Sequence, residues 1–191
     1  MGDFTVISEV SNAILKTMRD NLCPELVQSP ESIVITGPSD KNADFQLGLY
    51  LYDIQEMREY RQTDYVRINR SQRMLPPKPL NLYYMLYINS RSQMTVNAEN
   101  EQRILGRVMQ ILMDYPILPE DGTQGDDMGM TITFQTMSFE EKSKIWSVLS
   151  TPCQLAVYFS VAPVLLSSRK LSSFTRVVDA RFTMEQLEGG R

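Results

Sequence analysis

Residues 119–129 read PEDGTQGDDMG and gather Glu120, Asp121, Asp126 and Asp127 into one short segment. Grouped carboxylates are the raw material of a calcium site or of acid–base catalysis. The segment lacks the D-x-[DN]-x-[DN]-G order and the closing glutamate of a calcium loop, so a solvated acidic loop is the plainer reading. Glu140 and Glu141 are adjacent carboxylates, but they fall at the start of an expected helix, where capping and the helix dipole account for them. The chain has no histidine. That removes the commonest general base, the commonest metal ligand and every histidine-containing triad. Neither GxGxxG nor GxxxxGK[ST] occurs. Cys23 and Cys153 are the only cysteines. They are too few for a disulfide framework and are expected as small buried hydrophobes. No cofactor or metal is expected. A carboxylate-based hydrolase or a small-ligand-binding module stays open as the alternative to a structural protein.

Two other sets of side chains suit contact rather than catalysis. Arg58, Arg61, Arg67, Arg70, Arg73 and Lys78 form a basic segment against only Glu59 and Asp64. Asp114, Glu120, Asp121, Asp126 and Asp127 form an acidic one without a single base. Opposite patches at two places fit a head-to-tail contact, which closes into a ring when the rotation allows; two solvated loops fit the same charges. Tyr50, Tyr52, Tyr83, Tyr87 and Tyr158 fall on the less apolar faces of expected strands. Tyrosine suits sites with one dry end and one wet end, which describes an interface or a partly covered sheet face.

The elements that position these residues are marked by hydrophobic period. A helix is expected over 5–22, with Val6, Ile7, Val10, Ala13, Ile14, Met18 and Leu22 on one stripe and Pro24 beyond its end. Five strands follow, at 32–36, 45–53, 80–88, 130–136 and 154–162. Each alternates apolar and more polar positions, as in Phe45, Leu47, Leu49 and Leu51 against Gln46, Gly48, Tyr50 and Tyr52. Strands covered equally on both sides read as continuous apolar runs instead. The pattern therefore predicts an α+β fold with a mostly antiparallel or mixed five-stranded sheet and helices packed on one face. Asn97 caps a second helix over 98–114, with Ile104, Leu105, Val108, Ile111 and Leu112 inward. Ser138 and Glu141 have capping-box spacing for a third. Its Ile145, Trp146, Val148 and Leu149 are expected to face inward, with Trp146 against Leu149, Leu82 and Phe159. Residues 1–166 are expected as one domain and 167–191 as an extension or arm, whose Phe174 and Phe182 are candidate contacts with a neighbour.

The 191 residues carry a net charge of −4 and are 42% hydrophobic and 22% charged, the composition of a globular domain. The acidic balance argues against nucleic acid, whose phosphates reward a basic protein. MGDFTVISEV lacks the basic start and apolar core of a signal peptide. The longest mostly apolar run, 155–166, falls short of the ~20 residues that span a bilayer. Synthesis in the cytoplasm and no membrane insertion are expected.

Five stretches in order along roughly 5–166 carry a family resemblance: VISEVSNAILKTM, FQLGLYLYDIQEM, PPKPLNLYYMLYI, EQRILGRVMQILMDYPIL and SFEEKSKIWSVLSTPCQLAVYFSVAPVLL. The Pro76-Pro77-x-Pro79-Leu80 strand and the Trp146-x-x-Leu149-x-x-Pro152 junction are the most specific parts. Together they resemble the N-terminal domain of the cap, or tail-terminator, proteins of extracellular contractile injection systems, the anti-feeding-prophage and virulence-cassette particles that are built like phage tails. The resemblance implies a non-enzymatic protein. It implies a ring of copies of the chain, a hexamer, seated on the inner tube and sheath of the same particle, where it ends tube growth and holds the last sheath layer.

Overall fold

A computed structural model of the chain describes residues 3–40, 44–58, 65–67, 69, 72–89, 97–118 and 129–173. Helix α1 (Val6–Leu22) leads, through a single 3-10 turn at Pro30–Ser32, to strand β1 (Ile33–Ile35). Then come β2 (Leu47–Glu56), the short β3 (Val66–Arg67) and β4 (Gln72–Met74), and the long β5 (Lys78–Ile88). Helix α2 (Ala98–Asp114), β6 (Ile117–Leu118), β7 (Met130–Phe134), α3 (Phe139–Val148), β8 (Ala156–Leu166) and β9 (Leu171–Ser173) complete the order.

The main sheet runs β1-β2-β5-β8-β7-β6. Among the described residues only the β1–β2 pair is parallel. All five expected strands are in it, and the two-residue β6 extends one edge. A second sheet, β3-β4-β9, is small and wholly antiparallel. The α+β class and the mixed, mostly antiparallel main sheet agree with the alternation in the sequence.

Alternation divides the protein into two cores. On one side Leu80, Leu82, Tyr84, Leu86 and Ile88 of β5 meet Leu47 and Leu49 of β2 and Val157, Phe159 and Val161 of β8. Helices α1 and α2 close this side with Val10, Ile14, Met18, Ile104, Val108 and Ile111. Tyr84 stacks on Phe159 with ring centres 5.6 Å apart. Its hydroxyl lies 2.9 Å from that of Ser11. Ser11 Oγ already donates its one proton to the Ile7 carbonyl at 3.0 Å, so Tyr84 is the donor. That bond explains a buried serine in the apolar stripe of α1, since a buried polar group needs a partner.

Helix α3 lies against the opposite face. Trp146 is 1% exposed there, among Phe45, Met85, Tyr87 and Tyr158. Several expectations are corrected. Helices α1 and α2 share one face as expected, but α3 covers the other, so Trp146 does not touch the side that holds Leu82 and Phe159. Of the four residues expected inward, only Trp146 is buried; Ile145 and Leu149 pack at the margin, and Val148 is 85% exposed. Phe45 also changes sides. It precedes the first residue of β2, so the strand's pleat does not bind it to the Leu47 face, and it packs edge-on against Tyr87. Cys23 is half-buried, but Cys153 is exposed, contrary to a core role for both.

Two irregularities shape the sheet. The β2–β5 register steps at Tyr52, between the Leu51–Tyr84 and Asp53–Tyr83 pairs. The β5–β8 register steps between Leu80–Val164 and Leu82–Val161, where β8 has one residue more than β5. Pro163 sits in that step, where its missing N–H costs the ladder least. This lets β8 continue past the proline to Leu166.

Burial pushes the Tyr84 phenol up to about 12. A raised phenol contributes stability in full below its ordinary value near 10 and loses it as pH climbs toward the folded value. Denaturation midpoints are therefore expected to drop above pH 10. Tyr84→Phe, which gives up one hydrogen bond worth about 0.5–1.5 kcal/mol, should start lower at neutral pH and drop less steeply; an identical slope in both chains refutes the assignment.

Candidate assembly interface

The face under α3 holds most of the tyrosines singled out above, at different depths. Gly48 lies opposite Tyr87 in the β2–β5 register. A Cβ at Gly48 would stand 2.5 Å from the Tyr87 ring, so the glycine is what lets the ring lie flat across β2. There Tyr87 meets Trp146 edge-on at 5.8 Å and donates a hydrogen bond to the Thr36 carbonyl at 3.3 Å. It is 1% exposed. Tyr87 is thus a core residue and not the surface contact expected of it. Tyr158 accepts a 2.8 Å hydrogen bond from the Trp146 indole and is buried with it. Lys142, one turn back on α3, holds its ammonium 5.5 Å from the centre of the same ring.

Tyr50, Tyr52 and Tyr83 are half-buried. Tyr52 lies 6.1 Å from both Tyr83 and Tyr158, ring centre to ring centre. Burial, with the neighbouring Tyr158, Tyr83 and Asp53, lifts its phenol to about 12. Tyr83 accepts from the Asn81 amide at 2.9 Å and donates to Gln55 at 3.4 Å. Gln55, Glu56, Met57, Arg58, Asn81 and Tyr83 line a shallow groove here. A phenol that holds its proton to high pH is a hydrogen-bond donor and an apolar plate at neutral pH, not a base.

The groove opens toward the basic segment. Arg58 is exposed just past the end of β2, where the Met57 N–H donates to the Pro79 carbonyl at 2.8 Å. Lys78 pairs with Glu56 at 3.3 Å. Arg67 and Arg73 occupy facing positions of β3 and β4, and the Arg73 guanidinium lies 4.2 Å over the Tyr65 ring. Strand β9 then pairs with β4, setting Ser172 opposite Arg73. The sequence reading missed what this pairing brings: Arg169 and Lys170, both exposed, join the same end of the molecule. Arg169 anchors the segment through Asp3 at 2.6 Å and lies over the Phe4 ring. The only sequence signal was the Arg-Lys pair ahead of an apolar residue.

Arg61, Arg70, Asp121, Asp126, Asp127, Phe174 and Phe182 lie outside the described residues, as does the side chain of Arg67. Among the described residues no three His, Cys, Asp or Glu side chains gather as a metal site. No helix among them is long and apolar enough to cross a membrane.

Helix α3 is held to its face by few contacts. The capping box at Ser138 and Glu141 forms as expected and fixes its start. Ser39 Oγ donates to the Leu149 carbonyl at 2.7 Å beyond its end. Between these points Trp146 is its one fully buried side chain. Trp146→Ala should cost about 3–5 kcal/mol and leave the Tyr158 hydroxyl without its indole donor. As the sole tryptophan, it should also emit at short wavelength and resist quenching by iodide. A solvent-like spectrum, or an unchanged melting midpoint in the alanine variant, contradicts this placement.

Residues 9–180 match the family described as Pvc16 N-terminal domain. No curated protein matches the chain. Two solved structures share its fold. One is the sheath/tube terminator of PVC, an extracellular contractile injection system, in its extended state: 20% identical, TM-score 0.69, covering 98% of this chain and 66% of that one. The other is the tube-terminating cap of the anti-feeding prophage: 18% identical, TM-score 0.65, covering 93% of this chain and 61% of that one. The chain thus spans somewhat under two thirds of the length of each.

Proposed function

Because the chain belongs to the Pvc16 N-terminal domain family, we propose that it is a structural cap that ends the inner tube and sheath of a phage-tail-like contractile injection particle. The observation that carries this is the shared fold over 98% of the chain with a sheath/tube terminator. The site supports a structural role. Its notable groups are protonated phenols and guanidinium ions, which bind surfaces but move no protons at neutral pH. The cap acts as a ring, a hexamer as the resemblance implies, with inner tube and sheath subunits as partners. A ring of this kind uses two different surfaces of each subunit, one for each neighbour.

The domain is proposed to run through residue 166, with the extension beginning at 167. Its first seven residues return to their own subunit through Arg169 and β9. The later residues, with Phe174 and Phe182, are the proposed contact with a neighbour or with tube or sheath.

Two experiments test this reading. Purified protein added to growing tubes should sit at one end and stop elongation, and particles made without it should carry tubes of uncontrolled length. A protein that stays a small species and never meets tube or sheath overturns the cap. Truncation after Ser173 keeps β9 and should leave a folded chain that caps poorly; normal capping by that chain removes the extension from the mechanism.

A further inference from the structure

The groove at the open end of the α3 face lacks one hydrogen-bond donor and one anion, and those two absences define what it takes. We propose that it holds one acidic residue of an extended segment of the structure that this chain caps, with a main-chain N–H of the segment on Asn81 and the carboxylate on Arg58. This rests on the cap reading above and names a contact that holds the cap to its partner.

A directed series of hydrogen bonds leads into the groove. The Asp53 carboxylate only accepts, from the Ile54 N–H at 2.8 Å and from the Gln55 amide nitrogen at 2.7 Å. Gln55 therefore turns its oxygen to Tyr83, whose hydroxyl donates to it at 3.4 Å. With its one proton spent, that hydroxyl accepts from the Asn81 amide nitrogen at 2.9 Å. This fixes the orientation of the Asn81 amide and leaves its oxygen as the free end. Asn81 Oδ1 is closed off from solvent and has no hydrogen-bond partner. A buried acceptor in that state is costly and calls for a donor. Asn81 faces Gln55 in the β2–β5 register, at the level where β8 carries its extra residue. Asn81 and Tyr83 are half-buried walls of the groove, so a small tilt of the amide presents its oxygen to an incoming N–H.

Charge sets the second requirement. Lys78 answers Glu56 at 3.3 Å. Arg58 is exposed and pairs with no carboxylate among the described residues. The groove has a volume of about 250 Å³, below the roughly 300–1,000 Å³ of sites for drug-sized ligands. A residue fits there and a large cofactor does not. An aspartate or glutamate in an extended chain presents an N–H and an anion a few bonds apart. A free carboxylate lacks the donor, and a neutral peptide lacks the anion. Met57 and the Tyr83 ring give such a residue an apolar wall. On the cap reading, the capped structure is the partner brought to this surface, and an acidic segment of it complements the cations here.

Small probes test the chemistry, and a crosslinker tests the source. The probes are the acetylated and amidated tripeptide Gly-Asp-Gly, its Gly-Asn-Gly analogue, free aspartate and acetate. Each is titrated into isotope-labelled protein while NMR follows the side-chain amides. Gly-Asp-Gly should shift the Asn81 amide and bind on the order of tenfold more tightly than the analogue or acetate. Arg58→Ala and Asn81→Ala should each weaken it by about tenfold. Arg58 is exposed, so its variant tests the site even if Asn81→Ala fails to fold. Equal binding of acetate or of the Asn analogue reduces the site to a bare guanidinium and overturns the proposal. So does binding that neither substitution weakens. Free aspartate bound more tightly than the tripeptide makes the groove a small-molecule site, which also overturns it. In assembled particles, a photoreactive benzoylphenylalanine in place of Met57 should crosslink to a tube or sheath subunit beside an Asp or Glu. Capture of a second copy, or bonds only within the same chain, overturns the assignment. A chain absent from particles whose groove still binds the tripeptide is a different failure: it removes the cap reading and leaves the chemistry of the groove standing.

Discussion

Both faces of β5 are buried from Tyr84 to Ile88, and most of the architecture follows from that constraint. A strand with two dry faces must be covered twice. Tyr84, Leu86 and Ile88 require α1 and α2; Met85 and Tyr87 require something on the other side, and α3 supplies it through one tryptophan. The neighbours obey the same division. Gly48 of β2 is empty because Tyr87 fills its place, and Tyr158 of β8 turns its hydroxyl to the indole. The three prolines Pro76, Pro77 and Pro79 bring the chain to this strand already extended. The two cores differ in kind. The helical side is aliphatic apart from the Tyr84–Phe159 stack, whereas the α3 side is aromatic, thin and partly open.

How much of this is legible beforehand depends on how local the signal is. Helix α2 is readable in full, because Asn97 caps it, Pro116 follows it and its five buried residues keep a strict helical period. The capping box of α3 is equally local. Which face of the sheet α3 covers is not local at all. Ile145, Trp146, Val148 and Leu149 form an apolar group without saying where its counterpart lies, and the counterpart is set by the parity of Met85, Tyr87 and Tyr158. Phe45 shows the same limit at a strand's edge: it lies two residues before the first paired residue, where the pleat no longer fixes its side. The pairing of β4 with β9 joins residues about a hundred positions apart through three-residue strands, too short to show a period. Arg169 and Lys170 could not be placed with Arg67 and Arg73 before that pairing was known.

The same distinction separates the sets of candidate contacts. Tyrosines on alternating positions are easy to find and hard to rank, since the cover over each part of a face, which alternation does not encode, decides between core and groove. Tyr87 falls in the core, and Tyr83, four residues earlier on the same face, borders the groove beside Arg58. Depth here follows the length of α3: its ten residues cover the end of the face nearest Trp146 and leave the end nearest the small sheet open. The uncovered end is where basic and aromatic surface adjoin, a combination that suits a protein whose contacts must be both adhesive and oriented.

Arg19 gives one last consequence. Its guanidinium reaches from α1 to the Ile33 carbonyl with two donors, at 3.2 and 2.7 Å. Strand β1 is the outer edge of the main sheet on that side, and an open edge is a template on which further strands can grow without limit. Occupying a β1 carbonyl with a charged side chain blunts that template. If copies of the chain gather as proposed, this keeps them from joining sheet to sheet into fibres and leaves their number to surfaces that close on themselves.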